Sequence, residues 1–356
     1  MEQRQPLLHR VGEAAARFGN RPPRSRRVRL AIQIGLVVVI FGFLVLTVIN
    51  QWAEIKDEGV HFHVGWLVPA MVVLPVFYVL SAFGWDLILR FLGYRIGFGR
   101  AQVAWGQPLP ARYVPGSVLY VLGRVLLSER AGVPRRITIA SIVYEQAISA
   151  TSAIVIATYF IISHPDLQGE PARWVVLLLT PAAIALLHPR VFGPLANKAL
   201  RAFGREPLPE VISLRGVLSL IAFFTFNWVV VSFGIYCVAR SVTEIPFNDV
   251  LLVGAAQAIG YFAALVTLIA PAGLGVRDLA FAWAVKAAVP GQKFATGSLI
   301  AIAVRGVLTV TELLYVAAVT ALGRREGWSI PTGILHPSPE EEKAGPEAGG
   351  HSPEIL

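Results

Sequence analysis

Two stretches of the sequence have proline and glycine at the start of an apolar run, and an arginine follows in each. Residues 110–124 read P-A-R-Y-V-P-G-S-V-L-Y-V-L-G-R, and residues 270–278 read A-P-A-G-L-G-V-R-D. Proline and glycine interrupt a helix and leave backbone N–H groups unpaired where the next helix starts. Such a start attracts an anion such as a phosphate, because the helix dipole is positive there. The chemistry that these segments predict is anion binding.

Each broken stretch precedes a long apolar run with one acidic residue inside it, Glu145 in the first case and Glu312 in the second. Arg305 lies seven residues before Glu312, so the two share a helical face. Burying such a charge in a membrane costs roughly 2.5–3.5 kcal/mol, so each charge needs a partner. Two interpretations stay open: the arginines are anion ligands that the acids hold or couple to a proton, or the charges form internal salt bridges that lock the helices together.

The composition of the chain indicates a membrane protein. Of its 356 residues, 55% are hydrophobic and 15% are charged, against roughly 25% charged residues in an ordinary soluble domain. A soluble fold of this composition would expose large apolar patches, which disfavours a soluble enzyme, a disordered chain and a secreted disulfide scaffold. The net charge of +9 does not indicate nucleic acid, because the arginines crowd the ends of apolar runs, as they do in membrane proteins.

The apolar runs predict an all-α, polytopic transmembrane bundle. Each run approaches the ~20 residues that a span needs, and paired broken segments in the two halves are typical of transporters with an internal repeat. We expect about seven to eight membrane segments in two pseudo-repeated halves, with one or two segments broken or re-entrant. The clear runs are residues 30–49, 66–89, 137–163, 174–187, 214–238, 250–270 and 294–322, and the broken ones are 114–127 and 274–289.

Charge predicts the ends of the chain and its orientation. Residues 1–29 hold eight arginines and form a basic cytoplasmic tail, residues 30–323 form the transmembrane domain, and residues 324–356 form a disordered tail rich in proline and glutamate. The positive-inside rule places the N-terminus in the cytoplasm. By the same rule the first broken segment enters and leaves on the cytoplasmic side. The second completes a crossing as a half-helix if the C-terminus is cytoplasmic, and is re-entrant if it is not.

The broken segments resemble a known family. The stretch R-Y-V-P-G-S-V-L-Y-V-L-G-R at residues 112–124, A-G-V-P after Arg130 and Y-E-Q-A around Glu145 are similar to the transmembrane region of lysylphosphatidylglycerol synthases and their stand-alone, flippase-like relatives. P-A-G-L-G-V-R-D at residues 271–278 resembles that family's P-G-G-L-G-V-R-E, with Ala272 in place of a glycine and Asp278 in place of a glutamate. Arg305 falls where the family has an arginine. The resemblance covers residues 30–322.

The resemblance implies translocation of a lipid between leaflets, or a related role in lipid handling. We therefore expect a lipid translocase of a bacterial cytoplasmic membrane that moves an anionic phospholipid or a polyprenyl-phosphate-linked lipid. The family's lysyl-transferring members carry a large cytoplasmic synthase domain that is missing here, so aminoacyl-lipid synthesis is not expected. The alternatives are a non-transporting scaffold for enzymes of envelope lipid or glycolipid synthesis and a membrane enzyme acting on a lipid phosphate. The sequence lacks the common hydrolase and nucleotide-binding motifs, which disfavours the enzyme.

The candidate site residues follow from these segments. The predicted ligands of an anionic headgroup are Arg112, Pro115, Gly116, Arg124, Gly273, Gly275 and Arg277. The predicted gating residues or charge partners are Glu145, Asp278, Arg305 and Glu312. Asn227 and Gln257 are predicted to form hydrogen bonds between helices, and Trp85 and Trp105 to lie in the interfacial aromatic belt. We expect no catalytic residue, metal or cofactor. The expected partners are membrane lipids, with envelope-synthesis enzymes as further candidates, and no nucleic acid.

Overall fold

The secondary structure of the described chain is helical throughout. The computed structural model describes residues 49, 63–113, 118–163, 172–202, 207, 211–266, 276–288 and 294–328. The helices α1 to α10 are Leu67–Phe91, Phe98–Gly106, Val118–Arg130, Arg135–Ser163, Ala172–Leu186, Pro189–Ala202, Leu214–Val242, Val250–Val266, Val276–Ala288 and Phe294–Arg325. Short 3-10 helices cover Val64–Trp66, Leu109–Tyr113 and Phe247–Asp249. The predicted all-α fold is confirmed.

Five helical segments of the described chain are long and apolar enough to cross a membrane. They are Val64–Phe91, Arg135–Tyr159, Leu214–Val242, Phe247–Ala264 and Thr296–Arg325. Helices α5 and α6 add a sixth only if they count as one span, since they are bent by 70°. Pro189 begins α6, and proline favours the first position of a new helix. The predicted number of seven to eight segments is not confirmed. The predicted tail 1–29, residues 30–48 of the predicted first span and residues 329–356 of the predicted tail 324–356 lie outside the described residues. The last helix ends at Arg325, two residues into that predicted tail.

The two broken stretches of the sequence each form a short helix, α3 and α9. Both helices have 13 residues, so at about 1.5 Å per residue each is about 20 Å long. A hydrocarbon core is ~30 Å thick, so neither helix crosses it alone. Each short helix is followed by a long one, α4 or α10, as the sequence predicts. The elements that carry Pro115, Gly116, Gly273 and Gly275 lie outside the described residues.

A tight turn joins α3 to α4. Gly132 has a φ of 80°, a conformation that glycine adopts without strain, and it ends α3 in the A-G-V-P sequence. The Val133 N–H donates a hydrogen bond to the Ser128 carbonyl at 3.0 Å, which closes the turn. A connection this short makes α3 and α4 antiparallel neighbours. The hairpin therefore brings Arg124 of α3 close to Glu145 of α4.

Glycines allow α9 to approach α8 and α10 closely. A Cβ at Gly260 of α8 would lie 2.8 Å from the carbonyl oxygen of Arg277, and a Cβ at Gly297 of α10 would lie 2.5 Å from that of Ala282. Both contacts are with backbone atoms, which move only if α9 moves. Small residues at helix interfaces are how membrane helices gain packing energy without a hydrophobic driving force between them. The position of Arg277 thus depends on glycines in the neighbouring helices.

Two clusters of buried apolar side chains hold the helices together. One lies mainly among α7, α8, α9 and α10 and includes Val253, Phe281 and Ile300. The other lies mainly among α1 to α4 and includes Trp85 and Leu127. Helices α1, α4, α7 and α10 contribute side chains to both clusters. These four helices therefore connect the two halves of the bundle.

Gly297→Ala tests the close contact between α10 and α9. The new Cβ overlaps the Ala282 carbonyl, so we expect the free energy of unfolding to fall by about 1–3 kcal/mol, the usual cost of overpacking. Thermal unfolding in detergent, followed by tryptophan fluorescence, measures the change. Gly306→Ala in the same helix is the matched control, because a Cβ there meets nothing within 4 Å. Equal melting temperatures for the two variants would contradict the packing described here.

Candidate functional site

A cavity of about 490 Å³ opens between eight of the ten described helices. This volume falls within the ~300–1,000 Å³ that small-molecule sites occupy. The predicted site residues that line it are Arg112, Glu145, Arg277, Arg305 and Glu312. Residues that the sequence places far apart, in both halves of the chain, therefore face one space. The predicted site residues Arg124 and Asp278 are buried beside this space and are not part of its wall.

Arg124 and Glu145 form a buried ion pair between the two helices of the α3–α4 hairpin. Arg124 Nη2 lies 2.7 Å from Glu145 Oε2, and the Arg124 side chain is completely buried. Arg124 Nη1 also donates a hydrogen bond to the Tyr120 hydroxyl at 2.9 Å. The indole N–H of Trp105 donates to the other oxygen of Glu145, at 2.6 Å. Glu145 is therefore held by a hydrogen bond at one carboxylate oxygen and by the charge of Arg124 at the other, while Nε of Arg124 has no hydrogen-bond partner among the described residues.

Trp85 covers the guanidinium group of Arg124. The ring centroid lies 4.5 Å from the guanidinium carbon, in cation–π geometry. The indole N–H of Trp85 donates to Ser141 Oγ at 2.8 Å, and this serine lies one helical turn before Glu145 on α4. Trp85 and Trp105 are both buried, so their predicted place in the interfacial belt is wrong. A carboxylate inside a membrane needs hydrogen-bond donors, and the indole N–H of a tryptophan is such a donor. This complementarity is the sequence signal that could have identified Trp105 as a site residue.

A second ion pair connects the two halves of the chain. Arg112, in the 3-10 helix after α2, pairs with Glu312 of α10. The Glu312 side chain is buried, whereas that of Arg112 is 35% exposed. The sequence places Arg305 on the same helical face as Glu312, but the acid's salt bridge is to an arginine 200 residues away. Both carboxylates of the cavity wall are thus neutralised by arginines.

Arg277 and Arg305 differ from the other two arginines of the site. Both line the cavity, and neither forms a salt bridge with a carboxylate of the described chain. The charge of Asp278 favours the charged form of Arg277, whereas the charges of Arg305 and Arg112 oppose it. Two guanidinium groups that line one cavity without a salt bridge in the described chain repel each other. An anion bound beside them would offset that repulsion.

The rest of the cavity wall is aromatic or polar without charge. Tyr78, Trp105, Tyr120, Trp228 and Tyr261 supply large amphipathic rings. The uncharged polar side chains are Ser81, Gln146, Ser149, Asn227, Gln257 and Thr309. Sequence reasoning predicts Asn227 and Gln257 only as groups that connect helices, and it does not select the tyrosines. These residues come from different helices and have no common spacing in the sequence. Only the fold brings them together around the cavity.

The comparison with known families agrees with this architecture. The family model described as "Lysylphosphatidylglycerol synthase TM region" matches residues 30–315, which is most of the chain. The chain belongs to this family. Membership in the lysylphosphatidylglycerol synthase TM region family makes the protein a multi-pass membrane protein linked to lipid handling, and the matched part is a transmembrane region rather than a catalytic domain. Comparison with curated proteins gives no match.

We expect substitutions at the buried ion pair and at the cavity arginines to have opposite effects on stability. Glu145→Gln leaves Arg124 as an uncompensated buried charge, so we expect the protein to lose about 3–5 kcal/mol of folding free energy. Arg277→Gln removes a charge that has no salt bridge, so we expect it to keep or raise the stability. Melting temperature and the yield of monodisperse protein in detergent measure both effects.

Two further results decide this test. Arg124→Met combined with Glu145→Leu removes both charges, so it should recover most of the stability that Glu145→Gln loses. If Glu145→Gln is as stable as Arg277→Gln, the Arg124–Glu145 pair does not hold the hairpin and the assignment of structural and ligand arginines fails.

Proposed function

We propose that this protein moves an anionic lipid between the leaflets of a bacterial cytoplasmic membrane and binds the lipid's phosphate at Arg277 and Arg305. The observation that carries the proposal is that these two arginines line one cavity and form no salt bridge within the described residues. Arginine suits this role because its planar fork matches phosphate oxygens. The lipid is an anionic phospholipid or a polyprenyl-phosphate-linked lipid, and family membership supports lipid as the substrate.

The two ion pairs have different proposed roles. Arg124–Glu145 is completely enclosed, so it fixes α3 against α4 and keeps the cavity wall in place. Arg112–Glu312 lies in the wall itself, with Arg112 partly exposed, and it joins the first half of the chain to the second. A phosphate entering the cavity competes with Glu312 for Arg112. Release of this pair separates the halves, and their rocking gives access to each leaflet in turn.

The half-helix starts complete the proposed headgroup site. Helices α3 and α9 begin at Val118 and Val276, directly after the proline–glycine elements. Their N–H groups and positive dipole ends favour an anion in addition to the arginines. Contact of the headgroup with Pro115, Gly116, Gly273 and Gly275 stays a prediction from the sequence.

The two rival functions receive less support. A scaffold needs its internal charges paired in a closed core, whereas Arg277 and Arg305 face a cavity. A membrane enzyme that uses general acid–base catalysis needs a carboxylate or imidazole within reach of its substrate. The two carboxylates of the cavity wall, Glu145 and Glu312, are each engaged by an arginine. Binding and movement of a lipid therefore suit the described site better than either rival.

Translocation in reconstituted vesicles tests the proposal. Vesicles carry phosphatidylglycerol labelled on an acyl chain with a fluorophore, and reduction of the label in the outer leaflet by dithionite reports movement, with and without a proton gradient. A charge-assisted hydrogen bond contributes about 1.5–3 kcal/mol, so Arg277→Gln and Arg305→Gln should each slow translocation roughly tenfold or more. The double variant should be no faster than protein-free vesicles.

Arg135→Gln is the matched control for these variants. Arg135 forms a surface ion pair with Glu129, its side chain is 69% exposed, and it is not part of the cavity wall. Exposed pairs contribute little, so this variant should keep the wild-type rate. Wild-type rates in stable, well-folded Arg277→Gln and Arg305→Gln would overturn the assignment of the phosphate to these arginines. A wild-type rate no higher than that of protein-free vesicles would overturn translocation and favour the scaffold.

A further inference from the structure

Helix α6 packs against the rest of the protein through one of its faces. Phe192 of this face is buried, and its ring centroid lies 4.4 Å from that of Tyr144 of α4. A Cβ at the adjacent Gly193 would lie 3.0 Å from Cγ2 of Val211, so the helix is also close to the segment before α7. These contacts fix α6 to the bundle and leave the rest of its surface exposed.

A second face of α6 is apolar and exposed. Val191 and Leu195 lie one helical turn apart, and their exposed fractions are 45% and 52%. Helix α5, directly before α6, exposes Trp174 and Leu178 in the same way. Exposed apolar side chains of this kind are what a membrane protein presents to lipid chains. The apolar face of α6 therefore fits contact with lipid.

The third face of α6 is basic. Arg190 and Arg201 are eleven residues apart, which is three helical turns, so they share one face. Lys198 lies between that face and the apolar one. All three side chains are exposed, and none forms a salt bridge with a described residue. The sequence contains no Asp or Glu from residue 171 to residue 205, so the positive charge of α6 has no counter-charge nearby in the sequence.

The bend between α5 and α6 turns α6 away from the direction of the spans. Helix α5 runs against the spanning helix α4, where the hydroxyl groups of Thr180 and Thr158 lie 2.7 Å apart, and α6 is bent by 70° from α5. The 14 residues of α6 extend about 21 Å, less than the ~30 Å of a hydrocarbon core. As the continuation of a span, α6 would place three basic side chains in the hydrocarbon, which is costly. A helix along the membrane surface avoids this cost.

Contacts of Tyr144 show where α6 lies along the bundle. The Tyr144 ring packs on Phe192 of α6, and its hydroxyl oxygen accepts a hydrogen bond from the Ile212 N–H at 3.4 Å. Ile212 directly precedes α7, which is one of the spanning helices and begins at Leu214. Arg215, in the first turn of α7, is exposed. Helix α6 is therefore level with the end of a span, where the membrane boundary lies.

We infer that α6 is an interfacial helix that lies in the headgroup layer of the membrane and binds anionic phospholipids there. Val191 and Leu195 enter the acyl-chain region, while Arg190, Lys198 and Arg201 contact lipid phosphates. A helix with one apolar face and one basic face binds an anionic leaflet in this way, through buried apolar area and electrostatic attraction together. The inference concerns the outer surface of the bundle and does not rest on the proposed translocation or on the cavity arginines.

The depth of two probes on α6 tests its placement. The full-length protein carries Cys237→Ala, which removes its one native cysteine, together with Leu195→Cys or Arg201→Cys. Each cysteine is labelled with bimane, and the protein is reconstituted into vesicles of equal parts phosphatidylglycerol and phosphatidylcholine. Since the apolar face of such a helix lies ~5–10 Å deep, acyl-chain bromines should quench the probe at 195 at least about threefold more than the probe at 201. Iodide on both sides of the membrane should show the reverse order. Val191→Cys supplies a second apolar position if labelling at 195 disturbs the fold.

A bromine label on one lipid at a time tests the preference for anionic headgroups. Two vesicle preparations have the same composition, but the brominated chains are on phosphatidylglycerol in one and on phosphatidylcholine in the other. For the probe at 195, quenching by brominated phosphatidylglycerol should exceed quenching by brominated phosphatidylcholine about two- to fivefold, because each basic residue near an anionic surface attracts it. Arg190→Gln, Lys198→Gln and Arg201→Gln together should reduce this ratio to about one, since the charges are then gone.

The matched control removes three basic side chains from other helices. Arg135→Gln, Arg324→Gln and Arg325→Gln together take the same charge from exposed positions on α4 and α10. This variant should keep the wild-type ratio for the probe at 195. A loss of the preference in both triple variants would show a general effect of net charge and would overturn the assignment to α6.

Each remaining outcome also decides the inference. Equal quenching of the probes at 195 and 201 by brominated chains would place the whole helix in the hydrocarbon as part of a span, which overturns it. Quenching of the probe at 195 by iodide alone would show that the apolar face is open to water, or to a protein partner in the cell, and also overturns it. A wild-type ratio of one overturns the anionic preference. None of these measurements depends on lipid movement, so a failure of the proposed function leaves the inference standing, and the reverse holds as well.

Discussion

The free energy of burying charge in an apolar bundle is the constraint on which this structure depends. Arg124 is completely buried, and it is tolerated because Glu145, Tyr120 and the face of Trp85 surround its guanidinium group. Removing Glu145 leaves an uncompensated charge in a low-dielectric region, where it is costly. The same constraint makes Arg277 and Arg305 exceptional, because they have no salt bridge in the described chain. We propose that an anionic ligand compensates their charge.

Broken helices put these charges in one place. A continuous membrane helix satisfies its own backbone along the whole span. Helices α3 and α9 have 13 residues each, too few to span a membrane, and each carries an arginine of the site, Arg124 or Arg277. The turn at Gly132 returns α3 to α4, and the close approach at Gly260 seats α9 against α8. Arg112–Glu312 then joins the halves across the cavity. The breaks in the backbone therefore determine where the charged side chains lie.

The positions of the membrane spans and of the two short helices could be predicted from the sequence, whereas the pairing of charges could not. Long apolar runs and the residues that interrupt them predict each described span and both short helices, because burial in lipid leaves few other options for the backbone. Which charges meet depends on how helices rotate and cross. Glu312 shares a helical face with Arg305 but pairs with Arg112, and Trp85 covers Arg124 instead of lying at the interface.

The central claim is that Arg277 and Arg305 hold an anionic headgroup, and lipid retention measures it most directly. The wild-type protein, the double variant Arg277→Gln with Arg305→Gln, and Arg135→Gln are purified in the same mild detergent, and bound lipids are identified by native mass spectrometry. The account predicts that one class of anionic lipid is retained by the wild type and Arg135→Gln and is lost from the folded double variant. The same retained lipids on all three proteins would contradict it.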